Sequence, residues 1–243
     1  MSINSILPFA STLVMLVFTL SVFQRYVVRR NPAFLFWGIG LAMFGLGSFA
    51  ESYLTLAWSP VVFMIWYLFG AALNAAWLGH GTLSLLVKKP WVKIVTIILV
   101  AGSLIAAVLM LTTPLDASAF QTGTPISEQY RAIMPQGAVV RLTTPFFNIY
   151  GLLTLVGGAI YSAYLFWRKR VLPNRVVGNI LIAVGALSIG MASSLTRLGY
   201  GQYLYIGELL AAILMYVGFR AAAGPAPEKA ARTQEAASTS GAR

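Results

Sequence analysis

Residues 61–86 read VVFMIWYLFGAALNAAWLGHGTLSLL and contain no Asp, Glu, Lys or Arg. An α-helix of about 20 apolar residues is long enough to cross the hydrocarbon core of a bilayer. In lipid, a single segment pairs its backbone polar groups only by becoming helical. This run therefore predicts a membrane-spanning helix rather than part of a water-soluble core.

Six more apolar runs of similar length are spread along the chain. Composition agrees with them, because 58% of the 243 residues are hydrophobic and 9% are charged, with a mean hydropathy of +0.79. The sequence predicts an all-α integral membrane protein whose seven transmembrane helices form one domain, residues 1–220. The first run lacks the basic region of a cleaved signal peptide, so we expect it to be retained. The predicted spans are 5–24, 34–56, 61–86, 92–112, 145–167, 176–198 and 202–220.

The basic residues predict how the bundle is oriented. Lys and Arg concentrate in cytoplasmic loops, and only Arg131, Arg141 and Arg197 lie on the side opposite to the other 14. The N-terminus is therefore predicted outside and the C-terminus inside, in the cytoplasmic membrane. The formal net charge of +11 is divided among short loops, which indicates membrane lipids and not nucleic acid as the partner. The 14 are Arg25, Arg29, Arg30, Lys88, Lys89, Lys93, Arg168, Lys169, Arg170, Arg175, Arg220, Lys229, Arg232 and Arg243.

Two segments are predicted to lie outside the bilayer. The loop at 113–144 contains turn-forming Pro and Gly residues and a β-prone run at 138–142, so we expect either a small cap or hairpin on the outer face or a simple connector. Residues 221–243 are rich in Ala, Gly, Pro, Ser, Thr and Glu without apolar periodicity. They predict a disordered cytoplasmic tail.

The chain also shows signs of an internal repeat. Aligning Arg25 with Arg168 places Gly47 on Gly190 and Glu51 on Ser194. Spans 1–3 and 5–7 would then be two parallel triplets joined by span 4, a 3+1+3 arrangement found in some transporters. The alternative is chance, because apolar helices share Leu, Gly and Ala freely.

In topology the chain resembles two groups with seven helices and an outer N-terminus, the rhodopsins and the SWEET/PQ-loop transporters. It lacks the lysine in the seventh span that a retinal Schiff base requires, which excludes a covalent retinal cofactor. It also lacks a Pro-Gln pair and has only Asn31-Pro32 and Pro173-Asn174 on the predicted cytoplasmic side. Residues 66–73, WYLFGAAL, and 77–82, WLGHGT, are similar to uncharacterised bacterial seven-helix membrane proteins, a resemblance that implies a fold and no activity.

Enzymatic motifs are missing from the chain. There is no cysteine and one histidine, His80, which excludes thiolate sites, bis-histidine haem ligation and multi-histidine zinc sites. No nucleophile elbow, His-Glu-x-x-His pair or phosphate-binding loop is present. We therefore expect no enzyme, catalytic residue, cofactor or metal, and we expect His80 to bond a neighbouring hydroxyl such as that of Thr82 or Ser84.

Ionisable residues inside the spans are the best functional candidates, because each costs about 2.5–3.5 kcal/mol at a helix centre. Glu51, Arg197 and Glu208 all fall in the predicted outer half. They indicate either a polar outward-facing cavity, with Arg197 paired to a glutamate, or an interhelical ion pair near the interface. Trp66 is instead assigned to the interfacial aromatic belt. The candidate ligand-binding residues are Glu51, Asn74, Asn148, Ser194, Arg197, Tyr205 and Glu208.

Three functions from different classes follow from this reading. A transporter-like protein that handles a small polar solute would need a central cavity. A ligand sensor that signals to a cytoplasmic partner would bind without flux. An accessory subunit of a larger membrane complex would have a dry interior; a second copy of the chain, forming a homo-oligomer, is another possible partner. The sequence favours the first, since it predicts clustered polar residues and no output domain.

Overall fold

The computed structural model describes residues 3–170, 172–198, 200 and 202–224, and seven of its helices are long and apolar enough to cross a membrane. The chain is thus a polytopic membrane protein, as predicted. An eighth, shorter helix, α5, lies between the fourth and fifth spans. The helices are α1 Ile3–Arg29, α2 Pro32–Leu54, α3 Pro60–Leu86, α4 Trp91–Leu111, α5 Ile126–Ile133, α6 Val140–Arg168, α7 Pro173–Arg197 and α8 Gln202–Ala223.

Capping residues explain where several spans begin. Asn31 accepts a hydrogen bond from the backbone N–H of Ala33, and Ser59 accepts one from Val62. A proline follows each cap and another starts α7, a position where the missing N–H costs nothing. These spans therefore start one to three residues before their predicted positions.

Two boundary predictions are wrong. The β-prone run at 138–142 forms no hairpin, because α6 already begins at Val140 and continues through Pro145; no strand occurs in the described part of the chain. The predicted tail begins too early, because α8 extends to Ala223. Most of that tail, 225–243, lies outside the described residues.

Six of the spans close into a ring. Going round it, α1 packs on α2, α2 on α3, α3 on α6, α6 on α7, α7 on α8, and α8 returns to α1. Helix α4 stands outside the ring against α3 and α6, and most of its surface is exposed apolar side chain. Span 4 is thus peripheral to the other six, whereas the duplication of the two triplets stays a prediction.

Small residues let the helices of the ring approach closely. A Cβ on Gly47 of α2 would lie 2.4 Å from the Cα of Gly70 on α3, and one on Gly151 of α6 would lie 2.4 Å from the carbonyl carbon of Ala75. Only glycine permits these crossings. These crossings determine which residues of α2, α3 and α6 lie side by side along the bundle axis.

The segment between α4 and α6 folds into a cap, residues 112–139, over one end of the ring. Gly123 N–H bonds the carbonyl of Thr55 at 3.0 Å, and the Gln129 side chain bonds three backbone groups within the cap. Ile126 and Ile133 are completely buried against residues of α2, α3 and α4. We call this end of the bundle the cap end; the opposite end carries most of the basic residues and is the basic end.

Candidate functional site: a buried carboxyl pair

Two glutamates from different helices meet inside the ring near the cap end. Glu51 of α2 is 3% exposed and Glu208 of α8 is 8% exposed, and their carboxyl groups are neighbours, since Ser48, one turn before Glu51, bonds Glu208. Trp66 Nε1 donates to Glu51 Oε1 at 2.8 Å, and Ser48 Oγ donates to Glu208 Oε2 at 3.5 Å. We call Glu51 and Glu208 the carboxyl pair.

The surroundings of the carboxyl pair leave hydrogen-bonding capacity unused. Glu51 Oε2 is buried and makes no hydrogen bond of standard geometry with the described residues, and the same holds for the hydroxyl of Tyr205. Tyr205 is completely buried, one turn before Glu208 on α8, and its hydroxyl lies beside the backbone of Ile126 in the cap. An unpaired polar group in an apolar interior costs about 1–3 kcal/mol, so most proteins avoid such an arrangement.

No cation compensates the carboxyl pair among the described residues. The side chain of Arg197 lies outside the described residues, so its predicted pairing with a glutamate stays a prediction. Two adjacent carboxylates in a low-dielectric interior cannot both remain charged without help. The arrangement is therefore suited to holding a proton between the two groups or to binding a positively charged species.

The other predicted ligand-binding residues lie apart from the pair and bond backbone carbonyls. Asn74 Nδ2 donates to the carbonyl of Gly70 at 2.9 Å, and Asn148 Nδ2 donates to that of Ala71 at 3.1 Å. Both carbonyls belong to the π-helical turns at Trp66–Leu73 of α3, where widened turns disturb the regular bonding. Ser194 is exposed and donates to Gly190 of its own helix. Of the predicted set, the described side chains of Glu51, Tyr205 and Glu208 come together.

Trp66 is the functional neighbour that the sequence prediction missed. Its assignment to the interfacial belt is wrong, because the side chain is 4% exposed and bonds Glu51. The sequence did contain one indication of this contact. Helices α2 and α3 form an antiparallel hairpin with a short connection, so residues equally far from the connection lie side by side. Glu51 and Trp66 satisfy this condition.

His80 forms a second buried polar cluster, between α3, α4 and α6. Its Nδ1 and Nε2 lie 2.8 Å from Tyr150 Oη and Thr96 Oγ1, respectively. The Thr96 hydroxyl already donates its hydrogen to the carbonyl of Val92, so Nε2 of His80 must donate to it. Tyr150 then donates to Nδ1, which leaves a neutral imidazole with both nitrogens paired. The expected bond to Thr82 or Ser84 is therefore replaced by bonds to neighbouring helices.

The cap closes over the carboxyl pair through aromatic and basic side chains that pack against one another. Tyr130 of α5 packs against Trp66 and Tyr67 with ring centroids 5.8 and 6.5 Å apart. The guanidinium of Arg141 lies 5.6 Å from the Tyr130 ring. Tyr67 is in turn tied to Thr144 of α6 by a 3.0 Å hydrogen bond. The cap is thus connected to the tryptophan that holds Glu51.

No family model matches the chain, and neither the curated proteins nor the solved structures include a significant match. Function is therefore inferred from the carboxyl pair and its surroundings.

Proposed function

We propose that this protein is a carrier of a small polar solute in the cytoplasmic membrane, with the carboxyl pair as its binding centre. In this proposal the N-terminus and the cap face outward, and the solute enters from the cap end. The observation that carries the proposal is the meeting of Glu51 and Glu208 inside the ring, where Glu51 Oε2 and the Tyr205 hydroxyl make no hydrogen bond of standard geometry with the described residues. A purely structural polar contact would have its hydrogen bonds satisfied.

The position of the pair also favours a carrier. Glu51 belongs to the α1–α3 side of the ring and Glu208 to the α6–α8 side, and the backbones of α2 and α8 are not closely packed. Rocking one side against the other would separate the two carboxyl groups and open the interior, which is how repeat-built carriers alternate access. An accessory subunit has no use for such a pair, and a sensor would need the pair to bind without translocating anything.

The test is solute flux through the purified full-length protein in liposomes. Stopped-flow light scattering would follow shrinkage and reswelling after addition of sodium acetate, potassium acetate, tetramethylammonium acetate, glycine or glucose. Acetate is used because uncharged acetic acid crosses the bilayer and supplies the anion and the proton that net entry of an exchanged cation requires. We expect at least one of these solutes to enter faster than in empty liposomes, and Glu51→Gln or Glu208→Gln to slow its entry at least about tenfold, a loss of about 1.4 kcal/mol or more. Asp116→Asn, which removes an exposed carboxyl in the cap, is the matched control and should leave flux unchanged.

Two outcomes would contradict the proposal. One is the absence of protein-dependent entry for all five solutes. The other is entry that both glutamine variants leave at the rate of the unmodified protein. Size-exclusion profiles and helical circular dichroism would show that each variant is inserted and folded.

A further inference from the structure

We propose that the carboxyl pair is an exchange site at which one monovalent alkali cation replaces one proton. This inference rests on the proposed carrier function and specifies its substrate class. Its basis is a group of oxygen-bearing side chains on facing helices inside the ring: both carboxyl groups, the Ser48 hydroxyl, and the buried Tyr205 hydroxyl, which makes no hydrogen bond of standard geometry with the described residues. All four side chains offer hard oxygen ligands, which suit alkali and alkaline-earth ions and not metals that prefer nitrogen or sulfur.

In this proposal the resting pair holds one shared proton, and a monovalent ion is the one that replaces it without a change of charge. No group of three or more His, Asp or Glu side chains able to hold a metal occurs within the described ranges. If the two carboxylates coordinated a divalent ion instead, the site would lose its proton and its charge would change from −1 to 0. With one proton shared, the pair carries a charge of −1, and with two carboxylates and one alkali ion it again carries −1.

The exchange balances in atoms and charge. The O–H bond of the protonated glutamate breaks, its proton leaves to water, and the cation coordinates the two carboxylates and the hydroxyl oxygens. Return of the proton reforms the O–H bond and releases the cation. Because the charge of the site is the same in both states, neither state adds an uncompensated charge to the low-dielectric interior.

The groups that face the carboxyl pair are compatible with this exchange. Helix α3 contributes the indole N–H of Trp66, a donor that favours an ionised Glu51. Helix α8 contributes Tyr205, and the cap contributes Glu128, whose charge acts on Tyr205 from an exposed position. Helix α7 carries Arg197, whose side chain is not among those described.

The unpartnered Tyr205 hydroxyl distinguishes a binding site from a simple proton-sharing pair. Two carboxyl groups that only share a proton need no third oxygen. A hydroxyl that is completely buried one turn from Glu208, without a hydrogen bond of standard geometry to the described residues, has the oxygen lone pairs that a cation requires. Removing it should therefore weaken cation binding and leave proton binding in place.

The experiment measures proton movement that alkali ions drive. Liposomes containing the full-length protein and the pH dye pyranine would be loaded at pH 6.5 and diluted into pH 7.5 buffer with N-methyl-D-glucamine chloride. NaCl, LiCl, KCl, tetramethylammonium chloride or MgCl₂ would then be added. We expect at least one alkali ion to raise the internal pH, while tetramethylammonium and Mg²⁺ give no response. Each unit of lower external pH should raise the half-saturating cation concentration by up to about tenfold, as one-for-one competition requires.

Four variants test whether the alkali-driven change of internal pH depends on the carboxyl pair and Tyr205. Glu51→Gln and Glu208→Gln should lower the initial exchange rate at least about tenfold. Tyr205→Phe should raise the half-saturating cation concentration severalfold, and Asp116→Asn should match the unmodified protein. Exchange by the glutamine variants at the full rate, or a half-saturating concentration that is independent of pH, would overturn the inference.

The result also separates this inference from the proposed function. Glu208-dependent entry of glycine or glucose in the light-scattering assay, without any alkali-driven change of internal pH, would overturn the cation exchange and leave the carrier standing. Loss of both signals would remove both proposals.

Discussion

Two buried polar clusters of this bundle differ in how completely their hydrogen bonds are satisfied. At His80, both ring nitrogens have partners at 2.8 Å and the hydroxyl of Thr96 bonds a backbone carbonyl. At the carboxyl pair, Glu51 Oε2 and the Tyr205 hydroxyl make no hydrogen bond of standard geometry with any described residue. A satisfied polar cluster rigidifies the helices that it joins, whereas unsatisfied groups cost stability and need another explanation. The contrast supports a structural role for His80 and the proposed binding role for the carboxyl pair.

The Glu208→Gln variant tests the difference between the carboxyl pair and the His80 cluster most directly. Glu208→Gln should lower solute flux at least about tenfold, while the free energy of unfolding does not fall, because the change removes a buried carboxyl next to another one. The measurements are liposome flux and SDS-induced unfolding in mixed micelles. A Glu208→Gln variant that carries solute normally but unfolds more easily would place the carboxyl pair in the same structural class as His80.

His80→Ala should have the opposite effect. The substitution removes a completely buried ring and leaves Tyr150 and Thr96 without their partner, so we expect a loss of about 2–5 kcal/mol in unfolding free energy. Flux per folded molecule should stay near that of the unmodified protein. Unfolding curves combined with flux normalised to folded protein test both statements, and a selective loss of flux would reverse the assignment.

Two tryptophans of α3 donate hydrogen bonds to different acceptors, one to a carboxyl group and the other to a neutral hydroxyl. Trp66 donates to Glu51 at 2.8 Å and Trp77 donates to the Ser103 hydroxyl at 3.2 Å. Trp66→Phe should cost about 1.5–3 kcal/mol if Glu51 is ionised, and Trp77→Phe about 1 kcal/mol. Equal losses in unfolding experiments would indicate that Glu51 is not the ionised member of the pair.

Two tyrosines test the hydrogen-bond assignments themselves. Tyr150→Phe deletes a hydroxyl that bonds His80 and should cost about 1 kcal/mol. Tyr205→Phe deletes a hydroxyl that makes no hydrogen bond of standard geometry with the described residues, so the free energy of unfolding should not decrease. The two variants are matched in chemistry, and a loss at Tyr205 as large as that at Tyr150 would show that its hydroxyl is bonded in the folded protein.

An exposed carboxyl provides the smallest expected effect. Hydrogen bonds from the Ser118 hydroxyl and backbone N–H lower the pKa of Asp116 below its ordinary value. The charged carboxylate therefore stabilises the cap above the unfolded-state pKa, and this contribution is lost as the pH falls through the lower folded-state pKa. Asp116→Asn should slightly increase amide exchange at Ser118 near neutral pH, and the difference should shrink below about pH 4. A difference that grows in acid would contradict the assigned bonds.

The residues that sequence reasoning found and missed differ in a physical way. Glu51 and Glu208 are conspicuous in the sequence because charged residues are rare in apolar spans. Asn74 and Asn148 are equally conspicuous, but their amides bond carbonyls of the π-helical turns in α3, a local geometry that composition does not reveal. Trp66 was assigned to the interface because aromatic belts are common, whereas its contact with Glu51 depends on the close approach of α2 and α3 at Gly47 and Gly70.

The sequence by itself determined the seven spans and the gathering of basic residues at alternate loops, because the bilayer makes any long apolar segment helical and the length of the run fixes its reach. Only the tertiary structure decided which faces turn inward and that Glu51 meets Glu208. Lipid chains are as apolar as leucine, so hydrophobicity does not distinguish the buried face of a spanning helix from its lipid-facing one. That choice is made by steric fit at the glycine crossings and by the polar contacts that they bring together.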